Sequence, residues 1–354
     1  MKVQTQKTVK IKEENTFFVE ILEKVLIDFP KRSQEIVRAR YGIDGKEALT
    51  LEEIGKKYAI TRERVRQVLR EVFRKIRDRK ELELMKEIRE KLIFTAEQNS
   101  GIMEKQALLF SLGGNSGKQQ GAAKFFLECL ESLKEQEIKG ELKDAFAVDG
   151  FDVAAWRLIK NTAVEVLSFE KEPLEEEILF KKVSQKLTNK IERKTFFDFL
   201  EVSEEILKNN FKKWGLAKWK EITPKGTREK AYLILKEAGK PLHFKEIAAQ
   251  IDKYKLSRKK THPQTVHNEL IKDKNFVLVG RGIYALAEWG YKKGTVRDVL
   301  EEILQNGKKS LTREEILDKV LKIRQVKKST IIINLNNFFA KNKAGQYTSK
   351  NSKK

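Results

Sequence analysis

Arg62, Glu63, Arg66 and Gln67 stand within six residues and supply forked donors, a carboxylate acceptor and an amide. These are the groups that read base edges: forked arginine for guanine, amide for adenine, carboxylate for cytosine. Arg64 and Arg70 lie in the same stretch and suit phosphate oxygens. Val65, Leu69, Val72, Phe73 and Ile76 recur between them at helical spacing, which leaves Arg62, Glu63, Arg66, Gln67 and Arg70 on the opposite side of one helix. A solvated charged face is the plainer alternative, since mixed Arg and Glu also stabilise exposed helices.

The residues upstream are those needed to aim such a helix. Thr50 followed by Glu53 forms the pattern of a capping box and starts a helix at Leu51 that buries Leu51, Ile54 and Tyr58. Tyr58-Ala59-Ile60 then turns the chain, and Thr61 caps the second helix. The expectation is a helix-turn-helix whose second helix offers its first turns to a major groove.

Other candidate chemistry is weaker. His243, His262 and His267 lie close in sequence, but no cysteine or paired carboxylate completes a four-ligand set, so turn capping and packing are expected and no metal. Gly113-Gly114-Asn115-Ser116-Gly117-Lys118 lacks the glycine spacing of a phosphate loop and reads as a flexible loop. Carboxylates such as Glu175-Glu176-Glu177 have no nucleophile motif beside them; no catalytic residue, cofactor or small-molecule substrate is expected. Trp156, Trp214, Trp219 and Trp289 suit either base stacking or packing, and their recurrence near repeat boundaries favours packing. Arg281, between Gly280 and Gly282, is a candidate wing contact that could enter a minor groove. Cys129, the single cysteine, sits in an apolar run and reads as a buried hydrophobe.

The run from Ile36-Val37-Arg38-Ala39-Arg40-Tyr41-Gly42-Ile43-Asp44 through Thr50-Leu51-Glu52-Glu53-Ile54-Gly55 to Thr61-Arg62-Glu63-Arg64-Val65-Arg66-Gln67 resembles region four of sigma-70 family factors, over about residues 30–80. The resemblance implies binding to promoter −35 DNA and to the beta flap of the RNA polymerase core. It places base reading on Arg62, Glu63, Arg66 and Gln67, and phosphate contacts on Arg32, Arg40 and Thr50. The residues before it carry one apolar stripe, Phe17, Phe18, Ile21, Leu22, Val25 and Leu26, which is a helix and not the family's promoter-melting domain. Promoter opening by this chain alone is not expected.

With 354 residues, 40% hydrophobic and 36% charged, the chain has the composition of a helix-rich protein of several domains. It has neither a signal-peptide pattern nor an apolar run that spans a membrane, so a cytoplasmic, nucleoid-associated bacterial protein is expected. The net charge of +22 divides as +7 over residues 1–93, −3 over 94–151, +1 over 152–223, +9 over 224–293 and +8 over 294–354. Polyanion binding therefore falls to the two ends.

The C-terminal half repeats. Gly226-Thr227 and Gly294-Thr295 each open a helix, while Gly239-Lys240 and Gly307-Lys308 each close one. Second helices are expected over 244–251 and 312–321, and Phe276 to Leu286 reads as two strands about a glycine turn. Leu216-Ala217-Lys218-Trp219 and Leu286-Ala287-Glu288-Trp289 share a pattern, which suggests another copy upstream. In a further copy, Met103 to Leu112 and Gln119 to Leu133 would be helices and Val148-Asp149-Gly150-Phe151 a wing turn. The fold class expected is mainly α: a helix-turn-helix module (1–93), then tandem winged-helix repeats, each three helices plus a small β-hairpin, over 94–151, 152–223, 224–293 and 294–349, and a basic tail (350–354).

Residues 226–291, with Gly239-Lys240-Pro241-Leu242-His243-Phe244, Thr261-His262-Pro263-Gln264-Thr265-Val266-His267 and Gly280-Arg281-Gly282-Ile283-Tyr284, resemble the HARE-type helix-turn-helix. That family includes the N-terminal domain of the polymerase delta subunit and modules of chromatin and restriction proteins. Residues 294–349 look like a divergent relative. The reading that follows is a non-enzymatic, sigma-like accessory factor that binds double-stranded promoter DNA and polymerase. A delta-like scaffold subunit and a restriction-type recognition subunit are the alternatives.

Overall fold

Phe18, Ile21, Leu22, Val25 and Leu26 form the buried side of the first helix, α1 (Phe17–Leu26), as their spacing dictates. The computed structural model describes residues 16–78, 83–291, 294–306, 310–323, 326–342 and 345–348; the Gly307-Lys308 helix stop and the 350–354 tail lie outside them. Among the described residues are sixteen α-helices and eleven short strands. The chain divides into two units, residues 1–207 and 208–354.

In the first unit, α2 (Lys31–Tyr41) follows Pro30 and ends on Gly42 in the left-handed region. Then come α3 (Leu51–Lys57), α4 (Arg62–Asp78), α5 (Glu83–Glu97), β1 (Ile102–Glu104), α6 (Lys105–Gly113) and α7 (Gly117–Leu130). One apolar core runs from Phe18 to Phe146 and takes in residues on both sides of position 93. The cause is α7, whose Phe125 meets the rings of Tyr41 and Phe73 edge-on at 5.3 and 5.4 Å, while Phe126 lies 6.4 Å from Phe18. Gly121 permits this approach: a Cβ there would stand 1.9 Å from the Tyr41 carbonyl oxygen. The Phe18 N–H donates to Gln119 Oε1 at 3.0 Å, and the Tyr41 hydroxyl donates to Glu128.

The sheet β1–β3–β2, with β2 (Lys134–Ile138) and β3 (Leu142–Ala147), departs from two sequence expectations. Met103 belongs to a strand paired with Phe146, so the helix expected from Met103 begins at Lys105. The hairpin reverses at Gly140, with φ +81°, and not at Val148-Asp149-Gly150-Phe151. That stretch instead links β3 to α8 (Val153–Glu170), with Asp152 accepting from the Ala154 and Ala155 N–H groups at 2.9 Å. The charged residues of β2 obscured its alternation in the sequence. Likewise α7 spans Gly117–Leu130 and stops at Glu131, in the left-handed region, short of Leu133. Beyond α8 lie β4 (Leu174–Glu175), α9 (Glu176–Ser184), α10 (Arg193–Glu201) and β5 (Ile206–Lys208). Lys160, buried on α8, is held between Glu141 and Glu205.

The second unit contains β6 (Lys213–Leu216), then α11 (Thr227–Ala238), β7 (Leu242–His243), α12 (Phe244–Lys253), α13 (Pro263–Lys272), β8 (Phe276–Gly280) and β9 (Ile283–Leu286). The expected glycine turn of the hairpin is present, with Gly282 at φ +72°. β7 adds to the other edge of β9, and the three helices close over Ile234, Leu235, Ile247, Val266 and Leu270. A second, separate core around Leu300, Ile316, Ile331 and Leu335 joins α14 (Val296–Asn306), α15 (Arg313–Ile323) and α16 (Lys328–Phe338), followed by β10 (Ala340–Lys341) and β11 (Tyr347–Thr348).

Candidate nucleic-acid interface

α3 begins with the reciprocal cap that its sequence specifies. The Thr50 N–H donates to Glu53 Oε2 at 2.8 Å, the Thr50 hydroxyl donates to the same oxygen at 2.7 Å, and the Glu53 N–H donates back to Thr50 Oγ1 at 3.3 Å. These donors, the backbone N–H first, hold the Glu53 carboxyl below its ordinary range. The turn is tight because Gly55 lies beneath it: a Cβ at 55 would be 2.7 Å from the Ile60 carbonyl oxygen. Ala59 takes a positive φ of 51° to complete the reversal. Thr61 then caps α4, its hydroxyl accepting from the Arg64 N–H at 3.1 Å.

Val65, Leu69, Val72 and Ile76 anchor α4 in the core, and Arg62, Glu63, Arg64, Arg66, Gln67 and Arg70 are all exposed. The four expected base readers thus share one face over the first two turns. Arg66 donates to Glu63 at 2.8 Å, and Arg64 donates to Gln67 Oε1 at 3.2 Å. Arg66 therefore holds the Glu63 carboxyl below its usual range, while Glu63 raises the Arg66 guanidinium. Such exposed pairs contribute little to stability, so a base edge can replace either partner cheaply. They keep the side chains extended along the helix.

The expected phosphate contacts have further duties. Arg32 Nη2 donates to the Tyr58 carbonyl at 2.6 Å and so fastens the turn, while Arg40 Nη1 donates to the Leu49 carbonyl at 3.0 Å just ahead of the cap. Each guanidinium has five N–H donors, so bracing leaves others for a phosphate. The Thr50 hydroxyl hydrogen is committed to Glu53, and its oxygen accepts from an N–H.

Elsewhere the aromatic and histidine candidates are structural. Trp156 and Trp214 are buried, Trp156 donating to the Phe199 carbonyl at 3.0 Å, and Trp219 and Trp289 are half-buried. His243 Nδ1 accepts from the Lys245 N–H at 3.2 Å; His267 lies between the rings of Phe244 and Tyr284. His262 occupies the N-cap position of α13. Burial pushes the Cys129 thiol up to about 12. Arg281 is exposed on the hairpin turn. The sequence reading missed Ile271 and Leu278, two exposed apolar side chains beside that turn; the interruption of burial at Leu278 within β8 was the available signal.

A capped helix, a three-residue turn and a second helix with an exposed arginine, glutamate and glutamine face define a helix-turn-helix of the DNA-binding, transcription class. Residues 26–78 match the model for sigma-70, region 4, and residues 227–289 match that for HARE-HTH, the helix-turn-helix domain named for ASXL and restriction endonuclease proteins. Neither is an enzymatic family. The chain is 43% identical over 68 residues to the RNA polymerase sigma factor SigA of Nostoc sp., covering 19% of this chain and 17% of that factor. It is also 43% identical over 58 residues to SigA of Clostridium acetobutylicum, covering 16% of this chain and 15% of that factor. No helix among the described residues is long and apolar enough to cross a membrane.

Proposed function

We propose that this chain is a sigma-like accessory factor of transcription initiation that binds promoter-type double-stranded DNA through α3, the turn and α4, and contacts the RNA polymerase core at its beta flap. The observation that carries the reading is the exposed row Arg62, Glu63, Arg66 and Gln67 on a helix fixed by its buried side, within the segment that matches sigma-70 region 4. Arg32, Arg40, Thr50, Arg64 and Arg70 flank it as phosphate contacts. An accessory role, beside a separate sigma factor, agrees with a match confined to residues 26–78 while the segments that follow fold as other modules. Those of residues 94–151, 152–223, 224–293 and 294–349 are read as winged helices, each combining helices with a small hairpin. The match over 227–289 favours a second reading, a delta-like scaffold subunit of polymerase or a restriction-type recognition subunit.

Selection from random duplex oligonucleotides, followed by titration of the enriched site and random DNA, tests the first reading. The expected result is one preferred site whose binding depends on Arg66 and Gln67. Equal loss on preferred and random duplexes when these residues are replaced would make α4 a charged docking face and favour the scaffold. Pull-down of core polymerase with the full chain, with and without its beta flap, tests the protein contact.

A further inference from the structure

Within the second unit, α13 and the hairpin face the start of the last three-helix segment across a groove of about 970 Å³. Its apolar lining includes Leu270 and Ile271 of α13, Leu278 and Ile283 of the hairpin, Val296 of α14 and Val326 ahead of α16. Ile271 is 61% exposed and Leu278 47% exposed. Tyr284 also lines the groove; its side chain is 1% exposed, and its buried hydroxyl has no hydrogen-bond partner in the structure. A buried hydroxyl without a partner is costly, and a ligand carbonyl or carboxylate would satisfy it. Arg281 and Lys327 complete the lining, and neither makes an ion pair among the described residues.

These features discriminate between classes of partner. A surface that reads nucleic acid is polar and strongly positive throughout, whereas a protein interface has an apolar centre and a polar rim. This groove has the second arrangement. Both rim charges are positive, and the two segments that enclose it carry +9 and +8. The complementary partner has carboxylates beside apolar side chains.

We infer that this groove binds a short acidic amphipathic segment of a partner protein, its apolar side chains between Ile271 and Leu278, its carboxylates at Arg281 and Lys327, and an acceptor at the Tyr284 hydroxyl. Arg281 then meets a carboxylate and not a minor groove. The inference is independent of promoter reading by α4.

The full chain should be panned against a displayed library of random peptides about 12 residues long, and an enriched peptide then titrated by fluorescence anisotropy. Enriched peptides should combine Asp or Glu with Leu, Ile or Phe. The Ile271→Ser/Leu278→Ser and Arg281→Glu/Lys327→Glu double variants should each weaken binding about tenfold or more, the effect of losing interface anchors. Tyr284→Phe, which keeps the ring, should weaken it about threefold. An unrelated duplex oligonucleotide should not displace the peptide, and Arg66→Ala/Gln67→Ala should leave peptide binding unchanged. Absence of enrichment, enrichment without acidic residues, or unchanged affinity in the groove variants would overturn the inference. Displacement by duplex DNA, with the same variants losing DNA affinity, would make the groove a nucleic-acid site. Circular dichroism melts of each variant separate these outcomes from misfolding.

Discussion

α4 and α13 are the last helices of two helix-turn-helix units, yet their outward faces differ. On α4 the exposed residues are Arg62, Glu63, Arg66, Gln67 and Arg70, all able to donate or accept at a base or phosphate. On α13 the corresponding row is Gln264, Asn268 and Ile271, and it continues onto Leu278 of the hairpin. The topology that offers a helix to a partner is shared; the chemistry of the offered face decides what the partner is. The bracing differs too. The core beneath α4 is extended by α7 from a later part of the chain, whereas α13 closes a core formed by residues 231–286 and their neighbours.

The largest expected effect tests that bracing. Phe125 is fully buried between the rings of Tyr41 and Phe73, and Phe125→Ala should cost about 3–5 kcal/mol of stability in the first unit, the range for a buried aromatic truncation. Denaturant unfolding followed by a probe near α4 measures it. DNA binding should fall with the unfolded fraction. A loss confined to residues 94–151, with α4 still folded, would break the view that α7 supports the reading helix.

Next in size is the division between base reading and charge. Replacing Arg66 or Gln67 by Ala should cost about 1–3 kcal/mol on the preferred duplex and far less on random DNA, as loss of a base contact requires. Replacing Arg32 or Arg40 should weaken all duplexes alike and lower the salt slope by about 0.9 per lost contact. Because Arg40 also bonds the Leu49 carbonyl, Arg40→Ala should in addition lower stability by about 1 kcal/mol. Titrations at two salt concentrations and a thermal melt separate the two roles. An Arg40 variant with altered stability and an unchanged salt slope would leave it as a brace alone.

What could be read in advance was local. The Thr50–Glu53 cap, the Thr61 cap and the apolar stripe of α4 are fixed by side chains within four residues of their partners, so spacing alone exposes them. The 276–286 hairpin was legible because its branched and aromatic residues flank a glycine turn. The β2–β3 hairpin was not, since Lys134, Glu135 and Gln136 lie on a strand with little buried surface and disguise its alternation. Nor could spacing reveal that Phe125 meets Tyr41 and Phe73, that Arg32 reaches the Tyr58 carbonyl, or that Ile271, Leu278 and Val326 line one groove. Those contacts depend on elements brought together by tertiary packing.

The smallest effect concerns the caps, which the two units share in chemistry but not in purpose. Thr312 and Glu315 repeat the Thr50–Glu53 arrangement, with the Thr312 N–H donating to Glu315 at 2.8 Å, and both glutamates are held below their ordinary range by their threonine donors. Thr50→Ala and Thr312→Ala should each lower stability by about 1 kcal/mol at neutral pH, the usual cost of an N-cap. A carboxyl whose pKa is depressed in the folded state stabilises it fully above the unfolded value, and that contribution disappears as pH falls through the folded value. The advantage of the wild type over either variant should therefore narrow as pH drops below about 4, where glutamate ordinarily titrates. Thermal melts between neutral pH and that range test the sign. Only Thr50→Ala should also weaken DNA binding, because its helix sets the turn that aims α4. Equal loss of DNA affinity in the Thr312 variant would mean that the second unit shares the duplex, and the contrast between the α4 and α13 faces would give way to a single extended DNA surface.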